Sequence, residues 1–426
     1  TGRTLSGVPV LGTTAALAET VERLGVEEMV VALPSAPHET VRRILNVAAD
    51  LGIQTRVMPQ LVIAKGSVSL RDLRPVEVED LLGREPTPID VEQVRETIAG
   101  KVVAVTGAAG SIGAELCRQI VALDPARLVL LEIDETRLYE LWLELEKRAP
   151  GVAEMRICDI RDVAKLDAVF AATGPDLVLH AAAYKHVPLM ELEPAEAIRT
   201  NVGGTRNVVR ACVAHGVKRF VLISTDKAVA PANVMGLTKR LAERVTLEAA
   251  RDAGLNAVAV RFGNVLGSRG SVVPIFAEQL RRGGPLTVTD PEVTRYFMTI
   301  PEAARLVLQA QAIGHPGDIF VLEMGEPVRI ADLARKMIAL AGVPADIAYV
   351  GMRPGEKLHE ELVGGTETLA ATGREKIQRV ERVEMPSVGF SERIDALLTA
   401  ADGGDPEGLR EALSGIEPAS SVGQDR

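Results

Sequence analysis

A chain of 426 residues with 47% hydrophobic content is long enough for two or three domains, each with its own core. Its 58 acidic residues outnumber 48 basic ones, and a net charge of −10 argues against a nucleic-acid binder, whose surface would be basic. No run approaches the ~18 apolar residues of a membrane span, no signal peptide is visible, and the six histidines have no metal-ligand spacing, so no metal site is expected. Three scattered cysteines, Cys117, Cys158 and Cys212, read as reduced, buried thiols in a cytoplasmic setting.

In chain order, residues 1–65 form a first unit. Ala15 to Leu24 reads as a helix, Glu28 to Leu33 as a strand, His38 to Leu51 as a helix closed by Gly52, and Ile53 to Met58 as a strand. This is a small βαβ unit with a Rossmann-like look, but it has no Gly-x-Gly-x-x-Gly turn and is not expected to bind a dinucleotide. Residues 66–98 read as a linker, spotted with Pro75, Pro86 and Pro88 and containing Leu81-Leu-Gly-Arg-Glu85.

Residues 99–264 carry the motifs. Lys101 to Thr106 is a buried strand that runs into Gly107-Ala-Ala-Gly110-Ser111-Ile112-Gly113, and helical patterning follows to Val121. Glycines at this spacing allow a tight turn and let backbone N–H groups approach a pyrophosphate at the helix N-terminus. The next strand, Arg127 to Ile133, brings Glu132 and Asp134 to the distance where a carboxylate meets the adenosine ribose hydroxyls. Either one would repel a 2′-phosphate, which favours NAD over NADP; the two stand as alternatives. Asp159 and Ile160 end a third strand, where Asp159 can meet the adenine edge. Leu177 to His180 is a fourth strand, and the small Ala181 and Ala182 after it leave room for a cofactor.

The strand Arg219 to Ile223 ends in Ser224-Thr225-Asp226-Lys227, and Met235 and Lys239 follow four residues apart on one helix face. The alternation predicts an α/β fold: a Rossmann-like, doubly wound parallel sheet with ligands beyond the carboxyl ends of its strands. Residues 265–400 loosen into Gly/Pro loops and short helices expected mainly to cap a substrate. Residues 401–426 are polar and Gly/Ser/Asp-rich and are expected to be a disordered tail.

Thr106-Gly107-x-x-Gly110-x-x-Gly113, His180-Ala-Ala-Ala-Tyr-Lys-His186, Ser224-Thr-Asp-Lys227 and Asn233-x-Met-Gly-x-x-Lys239 together resemble the extended short-chain dehydrogenase/reductase enzymes of nucleotide sugars. With Arg261-Phe-Gly-Asn-Val265, Thr294-Arg-Tyr-Phe-Met298 and Arg353-Pro-Gly-Glu-Lys357, the chain is most similar to configuration-retaining UDP-N-acetylglucosamine 4,6-dehydratases of bacterial polysaccharide and glycoprotein-sugar synthesis. The resemblance implies oxidation at C4 by NAD, loss of water across C5 and C6, and return of the hydride to C6. It implies Lys227 as base at C5, Asp226 as acid for the C6 hydroxyl, Thr225 at the C4 oxygen and Lys239 at the nicotinamide ribose. Met235 stands where short-chain dehydrogenases carry a catalytic tyrosine. The group that takes the C4 hydroxyl proton stays unassigned. Lys185, His186, Asn201, Asn264, Arg295, Arg353 and Glu356 are the implied substrate residues; Arg295 and Arg353 would grip the diphosphate or brace loops.

The resemblance also implies a homo-oligomer and a membrane-anchored parent of which this chain is a soluble piece, with its first domain truncated. The competing readings are an inverting dehydratase, a 4-epimerase and a non-catalytic NAD-binding sensor or scaffold. The inverting and epimerising enzymes normally keep the tyrosine, and a decayed sensor would have no reason to retain Asp226, Lys227 and Lys239 together.

Overall fold

The computed structural model describes residues 3–33, 36–58, 73–76, 78, 80, 89–365, 367–381, 388–403 and 405–416. They divide into two compact units. One holds residues 3–80 together with 266–293 and 328–351; the other holds residues 89–265, 294–327 and 352–416.

In the first unit, Glu28–Val31 and Gln54–Val57 pair in parallel through the helix His38–Asp50, as the βαβ reading expects. Arg74–Pro75, within the expected linker, adds an antiparallel strand beside Gln54–Val57. Val31, Ile44, Leu45 and Val57 form a small core, and Leu340 of the helix Ile330–Ala341 packs against it. The same unit pairs Leu286–Val288 in parallel with Ile347–Tyr349. The Leu81–Glu85 motif and the expected boundary at residue 65 lie outside the described residues.

The second unit carries all the candidate site residues. Its elements are helix α1 (Val91–Ile98), strand β1 (Val102–Thr106), α2 (Ser111–Val121), β2 (Arg127–Glu132), α3 (Glu135–Arg148), β3 (Ala153–Ile157), α4 (Val163–Thr173), β4 (Leu177–His180), α5 (Thr205–Ala214), β5 (Arg219–Ile223), α6 (Val234–Ala253), β6 (Asn256–Arg261), α7 (Ile300–Ile313), β7 (Ile319–Leu322), β8 (Leu369–Ala371), β9 (Ile377–Val380), α8 (Phe390–Ala401) and α9 (Pro406–Ile416). Nine strands line up as β8-β9-β7-β6-β5-β4-β1-β2-β3. Neighbours from β7 to β3 run parallel, while β9 and β8 join antiparallel at one edge. Strand order reverses between β1 and β4, the place where ligands bind in such sheets.

Period-two side chains explain why both faces are covered. Val103 and Val105 of β1 and Leu128 and Leu130 of β2 point to a core shared with α1, α2, α3 and α7. Ala104, Val129 and Leu131 point to the opposite core, shared with α4, α5, α6, α8 and α9.

Two stretches depart from expectation. Residues 265–400 divide between the units, because the buried run Ile319–Leu322 and the pair β8–β9 extend the main sheet. The expected tail instead forms α9 over Pro406–Ile416. Its Leu409 and Leu413, one helical turn apart, are buried in the sheet's second core. Residues 417–426 lie outside the described residues. All three cysteines are free and buried, and burial raises their thiol pKa values. No helix among the described residues is long and apolar enough to cross a membrane.

Candidate active site

The glycine turn joins β1 to α2 at the switch point. Gly107 has a left-handed φ of +63°, and a Cβ there would come within 2.7 Å of the Ala182 backbone. A Cβ on Gly113 would come within 2.1 Å of the Gly107 carbonyl oxygen, so only glycine lets α2 start this close to the turn. Gly110 is the N-cap and offers no side chain to cover the helix end that Ser111 and Ile112 begin. Ala181 and Ala182 form the facing wall, half-buried. A helix N-terminus capped by glycine and faced by a backbone wall fits a pyrophosphate.

The structure separates the two acidic candidates. Glu132 accepts the Ala109 N–H through Oε2 at 3.1 Å, so its carboxylate sits on the glycine turn. Asp134 is the N-cap of α3, its Oδ1 accepting the Arg137 N–H at 3.1 Å, and Glu132 Oε1 in turn accepts the Ile133 N–H at 2.8 Å. Asp159 accepts from Arg161 at 2.7 Å, and this hydrogen-bonded guanidinium holds its carboxyl below the usual range. Ile160 is buried in the core beside it.

Below the turn, β1 and β4 are bridged by Thr106 Oγ1 and His180 Nδ1 at 2.6 Å, and His180 Nε2 meets Thr205 Oγ1 at 3.0 Å. Burial pushes the His180 pKa down to about 3, with the Lys239 charge adding to it, so the ring is a neutral strut. Asn201, expected at the substrate, is fully buried. Its amide accepts the Tyr184 N–H at 2.8 Å and donates to the Tyr184 carbonyl and the Thr238 hydroxyl, both at 3.0 Å. It therefore shapes the loop that presents Lys185 and His186, which are both exposed.

The chemistry-bearing cluster forms where β5 ends. Thr225 donates its hydroxyl to Asp226 Oδ1 at 2.8 Å, and Lys227 Nζ donates to the same oxygen at 3.0 Å. Lys227 also donates to Asn264 Oδ1 at 3.1 Å. Asp226 is 1% exposed, and its Oδ2 is buried with no hydrogen-bond partner. Burial disfavours the Lys227 charge, but the Asp226 and Glu360 carboxylates outweigh it and hold the pKa above the usual lysine value. The resting site therefore holds Lys227 as an ammonium.

Glu360 escaped sequence reasoning, although it lies just beyond the Arg353–Lys357 motif. It is buried, with Oε1 3.5 Å from Lys227 Nζ and 3.9 Å from Arg295 Nε. Arg295 is buried too and donates to the Thr294 and Leu358 carbonyls and to Glu356 Oε1 at 3.1 Å, bracing the loop that carries Glu360. Arg353 is exposed on the same loop.

Helix α6 supplies the last part. Asn233 caps it, and Lys239 lies one turn beyond Met235. Met235 is 4% exposed and packs in the apolar core with Val234 and Leu237. Lys239 Nζ donates to the Ile223 carbonyl at 2.7 Å. Burial lowers the Lys239 pKa to about 8, with Glu243 opposing. Glu243, one more turn along, accepts from Ser224 at 2.5 Å and from Arg261 at 2.8 Å, and Arg261 also binds Glu367 at 2.8 Å. This buried network ties α6 to the ends of β5 and β6.

A parallel sheet with a glycine turn after its first strand, and a helix lysine beside the strand carrying Asp226 and Lys227, defines the extended short-chain dehydrogenase class. Nucleotide-sugar epimerases and dehydratases share this Rossmann fold. Residues 103–382 match the family described as polysaccharide biosynthesis protein, and the chain belongs to that family. Residues 1–59 match a CoA-binding domain.

Among its relatives, the probable polysaccharide biosynthesis protein EpsC of Bacillus subtilis is 45% identical over 372 residues, 86% of this chain and 62% of EpsC. The capsular polysaccharide biosynthesis protein CapD of Staphylococcus aureus is 45% identical over 379 residues, 87% of this chain and 63% of CapD. The chain thus spans less than two thirds of either relative. UDP-glucose 4-epimerase of Rickettsia canadensis is 38% identical over 279 residues, 64% of this chain and 80% of the epimerase. Of the solved structures, Pen from Bacillus thuringiensis matches with a TM-score of 0.60 at 33% identity, over 63% of this chain and 84% of Pen. DesIV, the dTDP-glucose 4,6-dehydratase of Streptomyces venezuelae solved with NAD bound, matches with a TM-score of 0.55 at 25% identity, over 62% of this chain and 88% of DesIV.

Proposed function

We propose that the chain is an NAD-dependent lyase that converts UDP-N-acetylglucosamine to its 4-keto-6-deoxy derivative. One observation carries this reading: the Asp226–Lys227 contact at 3.0 Å, beside a helix whose tyrosine position is filled by the buried Met235. A 4-epimerase needs one group to exchange the C4 hydroxyl proton. A dehydratase needs an acid and a base at C5 and C6, and this site concentrates both.

Gly107, Gly110 and Gly113 would hold the cofactor pyrophosphate, Glu132 its adenosine ribose, and Lys239 its nicotinamide ribose. NAD, when bound, supplies the oxidant for C4 and the reductant that C6 needs later. The remaining work falls to the chain. Thr225 is the hydroxyl nearest Asp226 and is placed to hydrogen-bond the C4 oxygen. One proton shared across the Asp226–Lys227 contact can lie on either partner. With it on Asp226, the lysine amine is a free base for the C5 proton, and the acid can protonate the C6 hydroxyl as water leaves. Arg353, exposed on its loop, would meet the diphosphate, while Arg295 braces.

The test is incubation with UDP-N-acetylglucosamine and NMR of the product. A 6-methyl, 4-keto sugar is expected, with deuterium moving from C4 to C6 of a labelled substrate. The relatives named UDP-glucose 4-epimerase favour the second reading, and a C4-inverted sugar that keeps its C6 hydroxyl would establish it instead.

A further inference from the structure

The Lys227 ammonium has three acceptors around it: Asp226 Oδ1 at 3.0 Å, Asn264 Oδ1 at 3.1 Å and Glu360 Oε1 at 3.5 Å. The first two come with the ends of neighbouring strands. The third arrives from a distant loop, and no part of the functional reading above uses it. A buried carboxylate is costly unless paired. Glu360, at 7% exposure, is closer to Lys227 than to Arg295, which lies at 3.9 Å and spends its other donors on the loop backbone and Glu356. A loop fastener would need only Arg295.

We propose that Glu360 is a positioning residue for the elimination step: it fixes the Lys227 amine in the site and strengthens it as a base. This rests on Lys227 being the base at C5. In that step the Nζ lone pair takes the C5 proton and the C5–H electron pair becomes the C5–C6 double bond. The C6–O bond breaks, and the Asp226 proton leaves with that oxygen as water. Lys227 gains a positive charge as Asp226 gains a negative one. Glu360 faces the new ammonium and stabilises it, so the proton is taken more readily. The groups facing Lys227 are Asp226 on its own turn, Asn264 after β6, Glu360 on the loop and Arg295 beside Glu360. Of these, only Arg295 opposes the ammonium.

The substitution Glu360→Gln keeps the shape and removes the charge. Lys227 then loses its proton at lower pH, so the alkaline limb of the kcat profile, where the Asp226–Lys227 pair gives up its one proton, should move down by about one pH unit. The plateau of kcat should fall about tenfold, because the amine is both a weaker base and no longer fixed in place, with KM within about twofold. Glu360→Asp keeps the charge on a shorter arm and should give a smaller shift in the same direction, which preserves the test if the glutamine variant fails to fold. A second readout needs no turnover: the pH dependence of Lys227 acetylation by acetic anhydride, followed by peptide mass spectrometry, should show the same downward move.

If wild type makes no 4-keto-6-deoxy product, the functional reading fails while the labelling still reports whether Glu360 sets the Lys227 proton affinity. A reduced kcat with an unmoved alkaline limb and unmoved labelling would make Glu360 a structural brace and overturn the proposal.

Discussion

Lys239 is a buried cation that donates to one carbonyl and is only partly offset by the Glu243 charge a turn away, so it should weaken the fold that holds it. Its pKa falls from the usual 10.5 to about 8, chiefly through burial. Below pH 8 both folded and unfolded chains carry the charge, and the folded state bears the full penalty. Between 8 and 10.5 the folded chain loses its proton first, so stability rises with pH across that window. A gap of this size corresponds to about 3 kcal/mol at pH 7. Lys239→Met removes the charge and keeps an unbranched side chain. The cofactor-free variant should therefore be more stable than wild type by about 3 kcal/mol at pH 7 in urea unfolding, apart from a pH-independent packing offset, and inactive in turnover. The stability difference should shrink by about 2 kcal/mol when the measurement is repeated at pH 9.5. A difference that does not change between pH 7 and 9.5 would refute the reasoning, because packing alone has no proton dependence.

Asp226→Asn and Lys227→Ala should each lower turnover on the order of 10²-fold or more with NAD binding intact, whereas Met235→Leu conserves apolar volume and should stay near wild type. Collapse of the leucine variant alone, in parallel turnover assays, would relocate the proton chemistry. Gly113→Ala puts a methyl 2.1 Å from the Gly107 carbonyl and should abolish NAD binding by calorimetry while circular dichroism holds; retained affinity would mean the turn does not carry the pyrophosphate. Leu413→Ala opens a cavity at a fully buried position and should cost about 2–5 kcal/mol in thermal or urea unfolding. Wild-type stability in that variant would show α9 to be a dispensable appendage.

Much of the site was legible because its parts are contiguous. The glycine turn lies between a strand and a helix that adjoin it in sequence, so periodicity and turn chemistry both locate it. Thr225, Asp226 and Lys227 are consecutive at a strand end, and Met235 and Lys239 share a helix face by the 3.6-residue repeat. The alternation of strands and helices likewise specified a doubly wound sheet. The partners of Glu132 and Asp134 needed the backbone, because only the fold shows that one reaches the Ala109 N–H and the other caps a helix. Asn201 reads as a substrate residue by type and motif, and only the fold shows its amide pairing with the Tyr184 backbone. Composition pointed to disorder after Ala401, yet two leucines one turn apart suffice to dock a helix when a complementary apolar core is waiting.

Residue type and local spacing determined the sheet, the glycine turn and the positions of Asp226, Lys227 and Lys239 in the fold. Tertiary structure alone decided that Glu360 and Arg295 converge on Lys227 and that Arg261 locks Glu243. Charges distant in the chain interact only after the sheet has brought their carriers within a few ångströms, and no periodicity encodes that approach.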